Sequence, residues 1–237
     1  MTTTQVNFSA ALVMSLLATG CGPANSVPRT ADSTPAAGAP AVAPAQPPAP
    51  ADPAVAAADR GRILGDSTSK TWLIIASDFQ CPFCKTWHDQ TYRTLVDEYV
   101  RTGKVRVAYI NFPLSQHKNA MITAEAGMCA GAQGKFWEYH DGLFATQRQW
   151  APLADAGPVL DSIASSVGVN VPEWKRCVSS GKMRPSIEND RDRLDAAGVR
   201  STPSFLIGDL VLLGTQPMEA LRPALDAALA KAGTAPR

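Results

Sequence analysis

The sequence predicts an α/β protein that combines a strand–helix–strand unit, a long helical insertion and a closing β-hairpin. Three observations predict this order. An apolar run ending at Ala76 leads into a helix that opens with two cysteines, residues 116–195 show only helical spacing, and Gly208-Asp209 marks a tight turn between two apolar runs. A final amphipathic helix is predicted from Met218 to Ala232.

The composition allows a buried core and excludes some partners. The 237 residues are 45% hydrophobic, and 22 Lys and Arg nearly balance 21 Asp and Glu. We therefore expect no nucleic-acid partner, since no basic surface is available. No stretch reaches the roughly 18 consecutive apolar residues of a transmembrane helix.

Residues 1–20 are predicted to be a signal peptide, because an apolar run ends in small residues directly before Cys21. Residues 16–21 resemble a bacterial lipobox, whose cysteine is lipidated and becomes the mature N-terminus. Two features depart from that pattern: Ala18 stands where leucine is commoner, and residues 1–20 contain no Lys or Arg. An ordinary cleaved signal and a chance cysteine are the alternatives to lipidation of Cys21.

Residues 21–59 are predicted to be a disordered tether. Ala, Pro, Gly, Ser and Thr dominate this segment, which cannot bury a core. Such a chain is extended and partly polyproline-like, so it would hold a folded domain at a distance from whatever Cys21 is attached to. We expect that domain to comprise residues 60–237.

Two predicted strands flank the first long helix. Thr71 to Ala76 is a short apolar run rich in β-branched residues, which is typical of a buried central strand. Val105 to Phe112 alternates between the two faces of a second strand. With the helix between them they form a parallel strand–helix–strand unit. Gly61 to Asp66 is predicted to be an edge strand or a lead-in.

The helix between these strands opens with Cys81-Pro82-Phe83-Cys84, which we interpret as a redox site. Cys81 lies at the helix start, where unpaired N–H groups and the helix dipole lower the pKa of a thiol. Pro82 suits the first turn because its missing N–H needs no partner there. Cys84 lies one turn along the same face, within the Cα separation of about 4.4–6.8 Å that a disulfide needs. Half a zinc site is the alternative, but a structural site usually has a second CxxC pair, and we expect no metal.

The insertion consists of predicted helices alone. They run from Asn119 to Ala132, Lys135 to Gln147, Leu153 to Val167 and Pro172 to Gly181, followed by a charged stretch to Ala197. Two of the five cysteines, Cys129 and Cys177, lie here. With Cys21 and the redox pair set aside, this even remainder suggests a structural disulfide in an oxidising compartment, and two separate buried thiols are the alternative.

CPFC at a strand-to-helix junction, the helical segments and then Val199-Arg200-Ser201-Thr202-Pro203-Ser204-Phe205 resemble the DsbA-like branch of the thioredoxin superfamily. The resemblance covers residues 61–232. It implies a thioredoxin fold, a central mixed β-sheet flanked by helices, with an inserted all-helical subdomain. It also implies that Pro203 follows a cis peptide bond and faces the redox pair, and that the Thr202 backbone is free to pair with an extended substrate. An ordinary trans loop proline is the alternative.

In this family the first cysteine is exposed and carries the substrate as a mixed disulfide, and the second is a buried resolving thiol. The resemblance assigns these roles to Cys81 and Cys84. Strongly oxidising relatives carry His at the position of Phe83, so we expect an intermediate reduction potential. Pro82 and Phe83 are therefore predicted to tune the pair.

Three further expectations concern the surroundings of the pair. Ile75 replaces the buried acid that thioredoxin-like proteins often carry six residues before the first cysteine, and the role of Asp78 is open. His88 is interpreted as a solvated surface histidine rather than a tuning group. We predict an apolar substrate surface around Phe83, Trp87 and Pro203.

The leading functional prediction is an extracytoplasmic thiol–disulfide oxidoreductase that forms disulfides in secreted or envelope proteins. Its expected partners are unfolded or partly folded proteins with free cysteines and a membrane protein that reoxidises the pair. It needs no cofactor and is expected to be a monomer, in the periplasm or on the outer face of the cell membrane, held by a lipid on Cys21. A reductase or isomerase fed by a membrane electron donor, a peptide-binding module without catalysis and a metal-binding scaffold are the alternatives.

Overall fold

A computed structural model describes residues 52–234 as a mixed five-stranded sheet with helices packed around it. The strands are β1 (Ile63–Leu64), β2 (Thr71–Ser77), β3 (Val105–Asn111), β4 (Ser204–Ile207) and β5 (Leu210–Leu213), in the spatial order β1-β3-β2-β4-β5. β2 and β3 are parallel, and the other neighbouring pairs are antiparallel. The predicted thioredoxin fold is confirmed. The predicted signal peptide, Cys21 and most of the predicted tether lie outside the described residues.

The helices account for most of the rest of the described chain. They are Pro53–Gly61, a long helix over 82–100, Ala120–Gly131, Phe136–Ala145, Gln147–Trp150, Gly157–Ser166, Val171–Ser180, Arg184–Ala196 and Met218–Thr234. Between β3 and β4 only helices occur, as the spacing predicted. β2 is the central strand, since it pairs with β3 on one side and with β4 on the other, and the long helix follows it directly.

The first helix corrects the predicted boundary between tether and domain. Pro53–Gly61 is helical, the side chain of Asp52 caps it by accepting a 2.8 Å hydrogen bond from the Ala54 N–H, and Ala58 is fully buried. The prediction of a tether through residue 59 and a domain starting at residue 60 is therefore wrong. Alanine is the best helix former, proline suits the first turn, and small side chains let this helix pack closely, so its composition alone resembled a linker.

The long helix that carries the redox motif is not uniform. Pro82–Trp87 and Arg93–Leu95 are α-helical, whereas His88–Tyr92 and Val96–Val100 wind as π-helical turns. Its apolar face packs on the sheet in a core that includes Leu73, Trp87, Leu95, Val107 and Phe205. A second core lies among the inserted helices.

A disulfide joins two of the inserted helices. Cys129, in Ala120–Gly131, is bonded to Cys177, in Val171–Ser180, across 48 residues of sequence. The expected pairing of these cysteines is present, and the alternative of two separate buried thiols is wrong. The bridge fastens Val171–Ser180 to Ala120–Gly131, the helix that packs against Phe79 and Phe136.

Candidate active site

Cys81 lies at the point where β2 gives way to the long helix. Its backbone is extended, with φ −68° and ψ 123°, and it forms the N-cap of Pro82–Trp87. Its N–H donates to the Asp78 carbonyl at 3.1 Å, and its own carbonyl accepts from the Lys85 N–H at 3.2 Å. The loop and the first helical turn therefore fix the position of Cys81, as the motif predicted.

The Thr202–Pro203 segment covers Cys81. The Thr202–Pro203 peptide bond is cis, as the resemblance implied, and the Cys81 thiol donates a 3.4 Å hydrogen bond to the Thr202 carbonyl. Gly214 N–H holds the Pro203 carbonyl at 2.8 Å, and Ser204 begins β4 beside the end of β2. The redox pair and the proline loop thus meet where β2 ends and β4 begins.

The expectation that Cys81 is exposed is wrong. Only 2% of Cys81 and 1% of Cys84 are accessible in this dithiol state, whereas Pro82 and Phe83 lie on the surface. Thr202 and Pro203 are themselves buried, because the cis-proline loop lies directly against Cys81. A sequence pattern that places a thiol at a helix start does not reveal what packs over it.

The two thiols have pKa values displaced in opposite directions. A hydrogen bond from the Cys84 thiol, with further ones from the Thr202 hydroxyl and the N–H groups of Cys84 and Phe83, lowers the pKa of Cys81 from 9.0 to about 6. Within the described residues the Thr202 hydroxyl makes no hydrogen bond in the dithiol, so it is available to donate to the thiolate. Burial, followed by the hydrogen bond to Cys81 and the charge there, raises the pKa of Cys84 well above 9.0. Near neutral pH this pair holds one thiolate, on Cys81, and one thiol, on Cys84.

Asp78 holds the loop that leads to Cys81. Its buried carboxylate accepts hydrogen bonds from the N–H of Gln80 at 2.7 Å, the N–H of Leu114 at 2.9 Å and Nδ1 of His117 at 2.7 Å. The hydrogen bond from His117 to Asp78 raises the pKa of that histidine. The role of Asp78 that the sequence left open is therefore to fix the loop, and His117 was missed because 39 residues separate it from Asp78.

The helical insertion also holds the redox loop. The side-chain amide of the buried Gln147 donates to the carbonyls of Phe79 and Cys81, at 2.7 Å and 2.9 Å. Gln80 donates to the Ala151 carbonyl at 2.9 Å and accepts from the Asn119 N–H at 2.6 Å. Sequence reasoning missed these contacts, because a glutamine within a predicted helix carries no signal of its partners.

The predicted apolar surface is present only in part. The side chain of Phe83 projects into solvent with 64% of its surface exposed. Trp87 is buried instead and packs against Phe205 with ring centroids 4.8 Å apart, because the helix turns that side chain toward the sheet. Trp87 and Pro203 therefore contribute no exposed patch in this state.

His88 is not the solvated surface histidine that the sequence suggested. Its ring stacks on Tyr92 and lies against Phe144, with centroids 5.3 Å and 4.8 Å away. Both ring nitrogens are paired, Nδ1 with Asp89 at 3.3 Å and Nε2 with Asp141 at 3.2 Å. His88 and Asp141 connect the redox helix with the insertion.

A thioredoxin fold with a helical insertion, a pair of thiols at a helix start and a cis-proline loop against them define the class of DsbA-like thiol–disulfide oxidoreductases. Comparison with known proteins agrees with this class. A family model described as Thioredoxin matches residues 57–227. The chain therefore belongs to the thioredoxin family.

Individual relatives cover different shares of their own length. The chain is 29% identical over 180 residues to a protein named Na(+)/H(+) antiporter NhaA 1, from Salinispora arenicola, which is 76% of this chain but only 26% of the antiporter. It is 27% identical over 172 residues to a probable disulfide bond formation protein D from Bacillus cereus, which is 71% of this chain and 78% of that protein. The crystal structure of alpha-DsbA1 from Wolbachia pipientis has the same fold, with a TM-score of 0.65 at 20% identity over 72% of this chain and 92% of that one.

None of the helices described between residues 52 and 234 combines the length and the hydrophobicity that crossing a membrane requires.

Proposed function

We propose that this protein is an extracytoplasmic enzyme that forms disulfides in secreted or envelope proteins through Cys81 and Cys84. The observation that carries the proposal is the low pKa of Cys81, about 6, beside a buried Cys84 thiol that hydrogen bonds to it. A thiolate that is stable at neutral pH is a good leaving group, so the disulfide of the pair is easily attacked and reduced.

The reaction begins with the Cys81–Cys84 disulfide. A substrate thiolate attacks Cys81 Sγ, the bond between the two protein sulfurs breaks, and its electron pair goes to Cys84 Sγ, which then takes up a proton. A second substrate thiolate attacks the substrate sulfur of the mixed disulfide and displaces the Cys81 thiolate. The substrate has lost two electrons, the protein pair has gained them, and the dithiol arrangement described above is the product state.

The surroundings of the pair support each role. Burial raises the pKa of Cys84, so Cys84 stays a neutral thiol. It donates a hydrogen bond to Cys81 rather than competing for the substrate. The exposed ring of Phe83 offers apolar contact to an unfolded chain beside the reacting sulfur. Thr202 makes no backbone-to-backbone hydrogen bond within residues 52–234, which leaves its N–H available for an extended substrate.

The compartment and the anchor are part of the proposal. A structural disulfide between Cys129 and Cys177 persists in an oxidising environment outside the cytoplasm. The apolar run before Cys21 and the Ala- and Pro-rich segment after it suit a lipid-anchored domain on a spacer, which would act near a membrane protein that reoxidises the pair.

A second candidate function is that of a reductase or isomerase, which would use the same two thiols and receive electrons from a membrane donor. One observation favours this function over that of a strongly oxidising enzyme. Phe83 occupies the second position between the cysteines, and its side chain donates no hydrogen bond to the Cys81 thiolate. Of Phe83, only the backbone N–H donates to the Cys81 thiolate and lowers its pKa.

A disulfide-transfer assay tests the proposal. The oxidised protein is mixed with a reduced, unfolded protein that has several cysteines, and free thiols on the substrate are titrated over time. We expect one disulfide to be transferred per molecule of wild type and none by Cys81→Ser or Cys84→Ser, because neither variant can form the Cys81–Cys84 disulfide. Failure of the oxidised wild type to transfer its disulfide, or equal transfer by Cys81→Ser, would refute the proposed function.

A further inference from the structure

Three side chains with metal-binding atoms converge beside the redox helix. His88 comes from that helix, and His140 and Asp141 come from the inserted helix Phe136–Ala145. Oδ1 of Asp141 lies 3.2 Å from Nε2 of His88 and 2.8 Å from Nδ1 of His140, and one ligand atom from each residue lies within 4.8 Å of the other two. Two of the chain's three histidines are in this group.

The ring of His88 is held in place from the opposite side. Its Nδ1 pairs with Asp89 at 3.3 Å, and Asp89 is in turn bound by the Lys85 ammonium at 2.9 Å. A carboxylate on the second ring nitrogen is the arrangement that orients metal-binding histidines in proteins. Stacking on Tyr92 fixes the plane of the ring.

The backbone at His88 is unusual for a long helix. The α-helix of Pro82–Trp87 changes to a π-helical turn at His88–Tyr92, and His88 is its first residue. Short π-helical turns occur frequently at functional sites because they displace a side chain from the regular helical position. His88, at this turn, contacts the inserted helix through Asp141.

His140 is fixed by burial. It is 2% exposed and is surrounded by aromatic rings, including those of Phe79, Tyr109 and Phe144, with centroids 5.0 to 5.8 Å from its own. No large rotation is open to it, so Nδ1 stays directed at Asp141. Two ligands of the group are thus held rigidly, as a preformed site requires.

The group is accessible from water through a surface cleft. His88 and Asp141 line this cleft of about 930 Å³ together with Asp89 and Tyr92. Its walls carry four aspartates and two arginines, an excess of negative charge that favours entry of a cation.

We propose that His88, His140 and Asp141 form a binding site for a divalent transition metal, with Zn²⁺ as the ion that the ligand set suits best. Two imidazoles and one carboxylate are a common zinc ligand set that leaves a fourth position for water. Imidazole nitrogens disfavour Ca²⁺ and Mg²⁺, which prefer oxygen ligands. A tetrahedral zinc with bonds of about 2.0–2.1 Å separates its ligand atoms by about 3.3 Å, so small side-chain shifts accommodate the ion.

The site would join the redox helix to the insertion. His88 is four residues after Cys84 on one helix, and its two partners lie on the other. Metal binding at this position stabilises the packing of the insertion against the helix that carries the active cysteines. No local pattern indicates the site, because 52 residues separate His88 from His140 in the sequence.

The test must exclude the active-site thiols, because a reduced CxxC pair also binds zinc. Zn²⁺ is therefore titrated calorimetrically into untagged protein whose Cys81–Cys84 disulfide is intact. We expect one Zn²⁺ per chain. His88→Gln and Asp141→Asn should weaken the affinity by at least about tenfold. Asp97→Asn is the matched control, since Asp97 lines the same cleft but pairs with Arg101 outside the group, and it should bind as the wild type does.

Absence of Zn²⁺ binding by the oxidised wild type, or equal binding by His88→Gln, Asp141→Asn and wild type, would overturn the proposal. Because a variant could misfold, the visible spectrum of bound Co²⁺ is also measured on the wild type, which needs no substitution. Co²⁺ added to the oxidised protein should give the visible absorption of a site with nitrogen and oxygen ligands. A sulfur-to-cobalt charge-transfer band, or no spectrum of bound Co²⁺, would contradict the site.

Discussion

The side-chain amide of Gln147 donates a 2.9 Å hydrogen bond to the backbone carbonyl of Cys81. The same amide donates to the Phe79 carbonyl at 2.7 Å. Because Gln147 lies in the insertion, the inserted helices fix the loop that presents the redox pair. The insertion thus has a structural role at the active site in addition to enlarging the surface of the domain.

We expect Gln147→Ala to lower the free energy of unfolding of the oxidised protein by about 1–3 kcal/mol, because it leaves the Phe79 carbonyl without a donor and removes one of the two donors to the Cys81 carbonyl. Denaturant unfolding measures this difference. Gln149→Ala is the control, since Gln149 lies exposed in the same short helix, and its effect should stay within about 0.5 kcal/mol. Equal effects of the two substitutions would show that the amide contacts contribute nothing.

The pH dependence of Cys81 follows from its lowered pKa. Thiolate forms as pH rises, so the ultraviolet absorbance of the thiolate should increase with a midpoint near pH 6 rather than 9. This measurement does not require a reagent to reach the buried sulfur. A midpoint above pH 8 in the reduced wild type would contradict the described arrangement.

The hydrogen bond from Cys84 is the largest cause of that low pKa. Cys84→Ala removes the donor, and a hydrogen bond to a charged group is worth about 1.5–3 kcal/mol, so the midpoint for Cys81 should rise by about 1 to 2 pH units. Cys84→Ser keeps a donor of similar size and should leave the midpoint closer to that of the wild type. If Ala and Ser gave the same midpoint, the hydrogen bond would not be the cause.

His117 should make stability depend on pH. Its pKa is raised from 6.5 in the folded protein by the hydrogen bond to Asp78, so its charged form stabilises the fold fully below about pH 6.5. That contribution is lost as pH rises through the raised pKa of the folded state. His117→Gln should therefore destabilise the protein more at pH 5.5 than at pH 9, as measured by urea unfolding at both values. A loss that is the same at both pH values would contradict the ion pair.

The Cys129–Cys177 bridge should contribute to stability. Closing a loop across 48 residues is worth about 4 kcal/mol in the chain-entropy model. The double variant Cys129→Ser, Cys177→Ser should lose about this much in denaturant unfolding while its redox pair still titrates normally. Unchanged stability would mean that the bridge has no structural role.

The order of elements was predictable from the sequence because each element has a local signal. The apolar run before Ser77, the helical spacing of residues 116–195 and the Gly208-Asp209 turn each reflect a period or a turn that neighbouring residues determine. The order of the motifs around CPFC and Pro203 added the sheet arrangement and the cis bond through family resemblance. These predictions agree with the fold.

The features that the sequence could not predict depend on distant contacts. Pro53–Gly61 looked like a linker because its alanines show their packing role only against another helix. Cys81 was expected to be exposed because nothing near it in sequence indicates that Thr202 covers it. The partners of Asp78 and His88 lie 39 and 53 residues away, and no local pattern connects them.

The equilibrium reduction potential of the Cys81–Cys84 couple, measured by titration with glutathione while Cys129–Cys177 stays intact, tests the proposed direction of electron flow most directly. A stabilised Cys81 thiolate makes the disulfide more oxidising, and the absence of a histidine at the position of Phe83 limits that effect. We therefore expect a value between about −120 and −180 mV, the range of disulfide-forming and isomerising enzymes. A value near about −270 mV, the range of thioredoxin, would contradict the oxidase and favour a reductase.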